Sequence, residues 1–568
     1  MTELPQSVAP DERTNELGRG TTASVPGTGT IPRLSYPAPG TGQRLRHGLR
    51  GLTKPLLRIW LVAFAVLFIA EVAWTFATPL GSAPDEPAHL VRAASLVRGQ
   101  LLGTPLPHPS HAQESMTTVE VPEVFAGLSF KIGCFQFKPT VPAGCELPVT
   151  GSPQNVRIQT YVGRYPPFYY ALVGLPTLAF VSAKGIYAAR LVSGALSAAM
   201  LALAVRSLRR CRGAPLVAAG LALAVTPMVL YLASVVNPSG LEIASTISAW
   251  TAAMALASQA PEDVSPYSVG ALGVPIVVLI LTRAVSPLWA LFILAAFVSI
   301  GPATSLRALL RRRCVRAWLA AWAAAGLAAL TWDVAADPFL TEPGAALPPH
   351  STGWHIVALA VDRLHLVLTS SIGQFGWLDT PSPHGVVVAW LGALGAVVLV
   401  GVCLSRRRSA AVVVSNLVSW VVIPLALVIG EARHNGILGQ GRDFMGLAVG
   451  IPIVAGFVAG ERVGDRRKML RLSSGIITVL AVCQMADFYG TLRRNTVGIK
   501  GPLDAFATVW QVWHPPVPAV VLVVVFTLAM AAFAVILSRA VGPLPAGGEE
   551  GNNLDWTVSL EVVGTGGC

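Results

Sequence analysis

The sequence predicts an all-α polytopic membrane protein, a bundle of about 12 transmembrane helices (11 to 13) with a long first extracytoplasmic loop. Three observations predict it. Of 568 residues, 53% are hydrophobic and 12% charged, against roughly 25% charged in soluble domains. Uncharged windows recur, as at Gly385–Leu404, Ser409–Gly430 and Ala519–Ser538, each long enough to cross roughly 30 Å of hydrocarbon. Finally, the basic clusters 44–58, 206–212, 307–316, 406–408 and 461–471 sit at the ends of apolar runs. That is the pattern of Lys and Arg held on the cytoplasmic side. The net charge of +12 is thereby accounted for. No basic groove interleaved with aromatics accompanies it, so nucleic-acid binding is excluded.

Taken in order, residues 1–50 are rich in Gly, Pro, Thr and Ser and read as a disordered cytoplasmic tail. The polytopic domain is expected over 51–540, and a flexible tail over 541–568. The first span, about 57–80, delivers residues 81–166 outside as juxtamembrane helices and loop. Further spans are expected at 186–205, 214–236, 240–258, 268–282, 285–302, 316–333, 385–404, 409–430, 444–460, 473–490 and 518–538. This count places the N-terminus and every basic cluster inside, in the cell membrane. The apolar stretch 166–183 would invert the later clusters if it crossed, so it reads as a re-entrant or juxtamembrane helix. The larger outward loops are then 81–166, 334–384 and 487–516. Seven cysteines show no metal-ligand spacing. Cys134 and Cys145 share the first loop, where a disulfide is chemically plausible.

"APDEPAHLVRA", beginning at Ala83, carries the chemistry. Asp85 and Glu86 stand at the membrane rim with His89 one turn on. Pro87 suits a first helical turn, and Asp85 is either an N-cap or a catalytic carboxylate. A carboxylate there takes a proton from an acceptor hydroxyl, or Asp85 and Glu86 hold a divalent cation such as Mg or Mn. The following helix, with Leu90, Ala94, Val97 and Leu101 on one side, reads as amphipathic and interfacial. Arg283, between two spans, and Arg433, His434 and Arg442, near another rim, are candidate phosphate ligands or interfacial anchors. Glu242 follows the helix break "NPSG" and is a costly intramembrane acid or a helix cap. Tyr165, Phe168, Tyr169 and Tyr170 read as an aromatic belt or a sugar platform. Trp377, Asp379 and His384 are candidates for an acceptor cleft or an ordered loop.

"APDEPAHLVRA", "YPPFYY" (165–170), "NPSGLEIAS" (237–245) and "GQGRDF" (439–444) resemble landmarks of a bacterial membrane family, domain of unknown function 2142. It is grouped with the GT-C glycosyltransferases, which use sugars carried on polyprenyl phosphate. The resemblance spans about 60–490 and departs at Asp443, which precedes Phe444 where an aromatic is common after "QGR". It implies a GT-C-like helical fold with an acid in the first external loop. The expected activity is transfer of a sugar from a polyprenyl-phosphate donor to an envelope glycan or lipid. The rivals are a transporter or flippase of lipid-linked glycans and a non-catalytic envelope assembly protein.

Overall fold

The computed structural model describes residues 41–107, 109, 114–301, 303–338, 347, 351–437, 439–463, 465–504 and 512–540. Of the expected tails, 1–50 and 541–568, residues 1–40 and 541–568 lie outside these residues, as do the side chains of Arg433 and His434, whereas 41–50 are helical where a disordered tail was expected. The chain divides into two compact units, Met1–Lys54 and Pro55–Cys568, and the second carries the fold.

It opens with α1 (Leu56–Ala77) and the helix α2 (Glu86–Leu96). The first loop then forms an antiparallel sheet, β1 (Thr104–Pro105), β2 (Thr117–Pro122) and β3 (Asn155–Thr160), in which Val119 pairs Ile158. Between β2 and β3 come the short helices α3 (Glu123–Ala126) and α4 (Leu128–Lys131), and a Cys134–Cys145 disulfide. Two short helices follow, α5 (Pro167–Val173) and α6 (Pro176–Ala179), then the long α7 (Ala183–Leu208). Next are α8 (Ala214–Ala224) and α9 (Pro227–Ala233), bent by 61° at Val225–Thr226, and the buried α10 (Pro238–Ala257). Pro227 removes a backbone donor where the helix turns. The chain continues through α11 (Pro266–Thr282), α12 (Ser286–Ile300), α13 (Ala303–Leu310) and α14 (Arg313–Ala336). After α15 (Gly353–Ile372) a small hairpin, β4 (Gln374–Phe375) and β5 (Thr380–Pro381), leads to α16 (His384–Leu404) and α17 (Arg407–Asn435). The last helices are α18 (Gly441–Ala448), α19 (Gly450–Gly460), α20 (Arg466–Val497) and α21 (Ala519–Ala540).

Among the described residues, nine helices are long and apolar enough to cross a membrane, or ten counting the bent pair. Their outer faces expose Leu61 and Ile69 on α1, Leu327 and Leu330 on α14, Leu399 on α16, and Val524 and Leu528 on α21. Such a continuous apolar exterior suits hydrocarbon as the solvent. The inner helices α8, α10 and α19 are buried nearly throughout and pack through small residues: Gly220 of α8 meets Pro452, and Gly456 of α19 meets Leu216. Close backbone approach is how helices associate where lipid is as apolar as leucine.

The two ends of the bundle differ in chemistry. At one, Arg210 donates to Ser265 (3.1 Å), Arg312 donates to the carbonyls of Val264 and Pro261, and Gly213 packs on Gly460. The clusters 206–212, 307–316 and 461–471 therefore share this end. The opposite end gathers the Pro84–Asp85 turn, the start of α10, Arg283, the β4–β5 hairpin and the start of α18.

Each of the twelve expected spans falls on a helix or helix pair. Of these, α10 is not among the membrane-crossing candidates and α11 and α12 are too short, so the nine or ten found among the described residues fall below the expected 11 to 13. This holds even though α15, inside the expected outer loop 334–384, is one of them. Its polar residues, Asp362, Arg363 and His365, interrupt the run that would have marked it in the sequence. Beyond it, Gly376 N donates to the Tyr231 hydroxyl (3.2 Å) and Trp377 Nε1 to Gly81 O (3.1 Å), both at the second end. The stretch 166–183 breaks into α5 and α6 at Gly174 and Pro176. The expectation for α2 needs correcting. It is buried around its circumference, Arg92 included, and ends before Leu101. Arg92 donates to the carbonyls of Gln100 (3.3 Å), Leu101 and Tyr165 (3.0 and 2.9 Å), so it is a clasp inside the loop and not a solvated face.

Candidate functional site

Two adjacent carboxylates leave the turn after α1 in opposite directions. Asp85 has φ +61°, the left-handed region, and makes no side-chain cap to α2. That conformation costs a non-glycine residue on the order of 1–3 kcal/mol, and here it aims the carboxylate into a cavity. The Tyr161 hydroxyl donates to Asp85 Oδ1 (2.7 Å), and Arg442 Nη2 donates to Oδ2. The N-cap reading of Asp85 is therefore overturned.

Glu86 faces the helix core. It accepts from Arg190 Nε (2.6 Å) and Nη2 (2.5 Å), from Gly81 N (3.0 Å) and from Val236 N (3.2 Å). Arg190 spends its remaining donors on the carbonyls of Thr75, Thr78 and Pro79 (3.0, 2.7 and 2.9 Å). Both side chains are fully buried. The expected catalytic or metal-binding role of Glu86 is thus corrected: it is a structural strut that joins α1, α2, α7 and the α9–α10 break.

The cavity, of about 220 Å³, holds Asp85, His89, Arg283, Arg442, Asp443 and the aromatics Tyr161, Tyr165, Trp289 and Phe444. Each is placed by a local device. Asn237 caps α10 by accepting from Ser239 N (2.9 Å), while its amide donates to Pro84 O (3.2 Å) and ties that helix to the Asp85 turn. One turn into α10, Glu242 accepts from Arg283 Nη1 (2.9 Å), Ser286 Oγ (2.6 Å) and Trp289 Nε1 (3.1 Å). Fully paired and 1% exposed, it stands behind Arg283 and fixes it; it does not line the cavity. On α18, a Cβ on Gly441 would lie 2.3 Å from Ser371 N, so only glycine lets the helix start against α15. Gln440 and Asp443 form a capping box there, and Asp443 Oδ1 also accepts from Arg283 Nη2 (3.4 Å).

His89 shares a 2.8 Å hydrogen bond between Nδ1 and the Tyr170 hydroxyl. Burial, helped by the positive fields of Arg442 and Arg283 and opposed by Asp85, lowers its pKa to about 3, so the imidazole is neutral near pH 7. Burial works the other way on Asp85, but Arg442, His89 and the Tyr161 hydroxyl outweigh it and hold the carboxyl below its ordinary value. This site therefore presents an ionised carboxylate, a neutral imidazole and two guanidinium groups to one space.

Of the expected residues, Asp85, His89, Arg283 and Arg442 meet in the cavity, with Glu242 behind. Asp379 instead pairs with Arg494 (2.7 Å), Trp377 bonds to Gly81 O, and neither they nor His384 lines the cavity. Tyr169 and Tyr170 are buried against Ser193 and His89, not displayed as a belt, whereas Tyr165 does reach the cavity. Tyr161 and the contribution of Asp443 were missed, as was Arg190. A lone arginine in the apolar run of α7 was the available signal, because such a charge demands a buried partner. Among the described residues, no three of His, Cys, Asp and Glu come together as metal ligands. With Glu86 turned away and Asp85 and Asp443 each paired to arginine, the donor set does not fit the expected Mg or Mn site.

No curated protein sequence matches the chain. Among solved structures, the chain is similar to ArnT from Cupriavidus metallidurans, whose crystal structure is bound to undecaprenyl phosphate. That likeness has 13% identity and a TM-score of 0.37, and covers 86% of this chain and 78% of that one. Residues 68–451, more than half of the chain, match the family described as "Predicted membrane protein (DUF2142)", and the chain belongs to that family.

Proposed function

We propose that this protein is a membrane glycosyltransferase of GT-C-like type. It would move a sugar from a polyprenyl-phosphate donor to a cell-envelope glycan or lipid at the extracytoplasmic face of a bacterial cell membrane. One observation carries the reading: Asp85, Arg442 and Arg283 converge in a single cavity at the bundle end opposite the basic clusters. Because Lys and Arg are retained on the cytoplasmic side, the cavity faces outward. Guanidinium groups suit bidentate contact with phosphate. On the other side of α18, Met445 and Val449 line an apolar cavity of about 90 Å³ with Trp390, Leu394 and Trp420, which suits an isoprenoid chain.

In this reading the acceptor hydroxyl hydrogen-bonds to Asp85 and attacks the anomeric carbon from the face opposite the phosphate. The new C–O bond forms as the sugar–phosphate C–O bond breaks. The hydroxyl proton passes to Asp85, and the polyprenyl phosphate leaves with the bonding electrons, stabilised by Arg283 and Arg442. Single displacement inverts the anomeric centre. Glu242 acts as a positioning residue by fixing Arg283.

Orientation is tested by cysteine labelling after the native free thiols are removed. Gln154→Cys should react with an impermeant thiol reagent on whole cells and Arg311→Cys should not. The reverse pattern would put the cavity on the cytoplasmic side. The phosphate role is tested at Arg283. Arg283→Gln should raise the KM for a polyprenyl-phosphate donor about tenfold or more, and Arg283→Lys should restore only part because the planar fork is lost. Unchanged donor dependence in both variants would make Arg283 an anchor only.

A second reading, a carrier of lipid-linked glycans, draws on Glu71. This carboxyl is buried in α1, and neither oxygen has a hydrogen-bond partner among the described residues. Intramembrane acids of this kind mark transport paths in other membrane proteins. A carrier would retain its activity in Asp85→Asn, whereas the transferase would not.

A further inference from the structure

The charges that line the proposed donor site do not leave room for an anion as they stand. Arg283 is paired with Glu242 and Asp443, and Arg442 with Asp85. At formal charges, three carboxylates face two guanidinium groups among the described residues. Arg283 is fixed from behind by the Glu242 network, but Arg442 holds Asp85 across the cavity itself. A phosphate that takes both Nη groups of Arg442 displaces Asp85 from Nη2. That would leave a carboxylate 16% exposed beside a second anion, a costly arrangement unless a cation replaces the arginine.

One group is placed to supply that cation. His89 lies one helical turn from Asp85, its backbone N donating to Asp85 O (3.0 Å), and both side chains line the cavity. Nδ1 is engaged by the Tyr170 hydroxyl (2.8 Å), which leaves Nε2 for a proton. Of the titratable and charged groups around it, the turn before α2 contributes Asp85, α2 contributes Arg92, and the segment before α5 contributes Tyr161 and Tyr165. Tyr170 comes from α5, Glu242 from α10, Arg283 from the α11–α12 turn, and Arg442 and Asp443 from α18. Burial opposes a charge on His89 most and the two nearby arginines add to it, while Asp85 favours it. An arriving anion cancels the arginines' field, and an Asp85 released by Arg442 adds its own.

We propose that the anionic donor enters together with one proton, taken up by His89, which then replaces Arg442 as the cation beside Asp85. This inference rests on the proposed anion site. It makes Asp85 available as a carboxylate only once the donor is bound, because the imidazolium keeps it ionised while the phosphate occupies Arg442. Acceptor activation is thereby tied to donor occupancy, which disfavours proton abstraction in an empty site.

The test uses the full-length protein in detergent micelles and farnesyl methyl phosphodiester, a probe with one charge that does not titrate near neutral pH. Calorimetry in buffers of different ionisation enthalpy counts the protons exchanged on binding. The expected result is uptake of about one proton per diester, with affinity falling about tenfold per pH unit as pH rises across the neutral range. His89→Asn should still bind the diester, more weakly, with no uptake and a flat pH profile. Binding by the wild type without uptake overturns the proposal, as does uptake that persists in His89→Asn. Failure of the wild type to bind, or binding unchanged in Arg283→Gln and Arg442→Gln, overturns the anion site and this inference with it.

Discussion

Asp85→Asn should lower turnover by about 10² or more while protein abundance stays at the wild-type level. The amide keeps the shape of the side chain, and asparagine tolerates the left-handed conformation at φ +61° better than most residues. It still accepts from the Tyr161 hydroxyl. What it loses is the negative charge that pairs with Arg442 and the capacity to take a proton. Arg442 keeps its place in the cavity lining and the asparagine fills the same volume, so abundance is expected to hold. The check is turnover of a polyprenyl-phosphate donor by purified protein, with quantity matched by immunoblot. Full activity at equal abundance would make the Asp85 carboxylate structural, and the chemistry would have to be sought elsewhere in the cavity.

The largest effect on stability is expected one residue away. Arg190→Leu removes the side chain that, among the described residues, pairs with the Glu86 carboxylate, and both groups are fully buried. An uncompensated buried charge costs about 3–5 kcal/mol, and the carbonyls of Thr75, Thr78 and Pro79 lose their donors as well. Arg190→Leu should therefore fall sharply in abundance and in melting temperature in detergent. The double variant Glu86→Gln with Arg190→Leu should recover part of the loss, because no charge is then stranded. Equal loss in the single and double variants would assign the defect to the freed carbonyls instead. Together the two variants would separate roles that the sequence presents as one pair: in the proposed reading Asp85 acts on activity and Glu86 on folding.

That pair also shows where sequence reading stops. "PDEP" singles out the turn, because two acids and two prolines at a membrane rim are an unusual and costly combination. Nothing in the four letters says that φ at Asp85 is positive, and it is this dihedral that sends the two carboxylates to opposite sides. The helices of the bundle were legible because a 20-residue uncharged run has few other uses. α15 was not, since Asp362, Arg363 and His365 break its run although Ile356, Ala360 and Val367 are buried against neighbours. The helix α2 misled for the opposite reason. Its apolar spacing is amphipathic, but the loop folds over its polar side and gives Arg92 three carbonyls to bond. Arg283 and Arg442 were legible as cations at rims. That they share one cavity depends on the α18 start lying against α15, a contact made possible by Gly441 and invisible in local pattern. Tyr161 gave no signal at all, since its role is a single hydroxyl at 2.7 Å from Asp85.

The central claim is that a polyprenyl-phosphate-linked sugar is consumed at the cavity around Asp85. Lipid and glycan profiling of a deletion strain, complemented with wild type or with Asp85→Asn, tests it most directly. The account predicts that the deletion strain accumulates a polyprenyl-phosphate sugar and lacks one envelope glycan or glycolipid modification. Wild type should reverse both changes and Asp85→Asn, at equal abundance, neither. A deletion strain with unchanged lipid-linked sugars and an unchanged envelope, or complementation by Asp85→Asn as complete as by wild type, would contradict it.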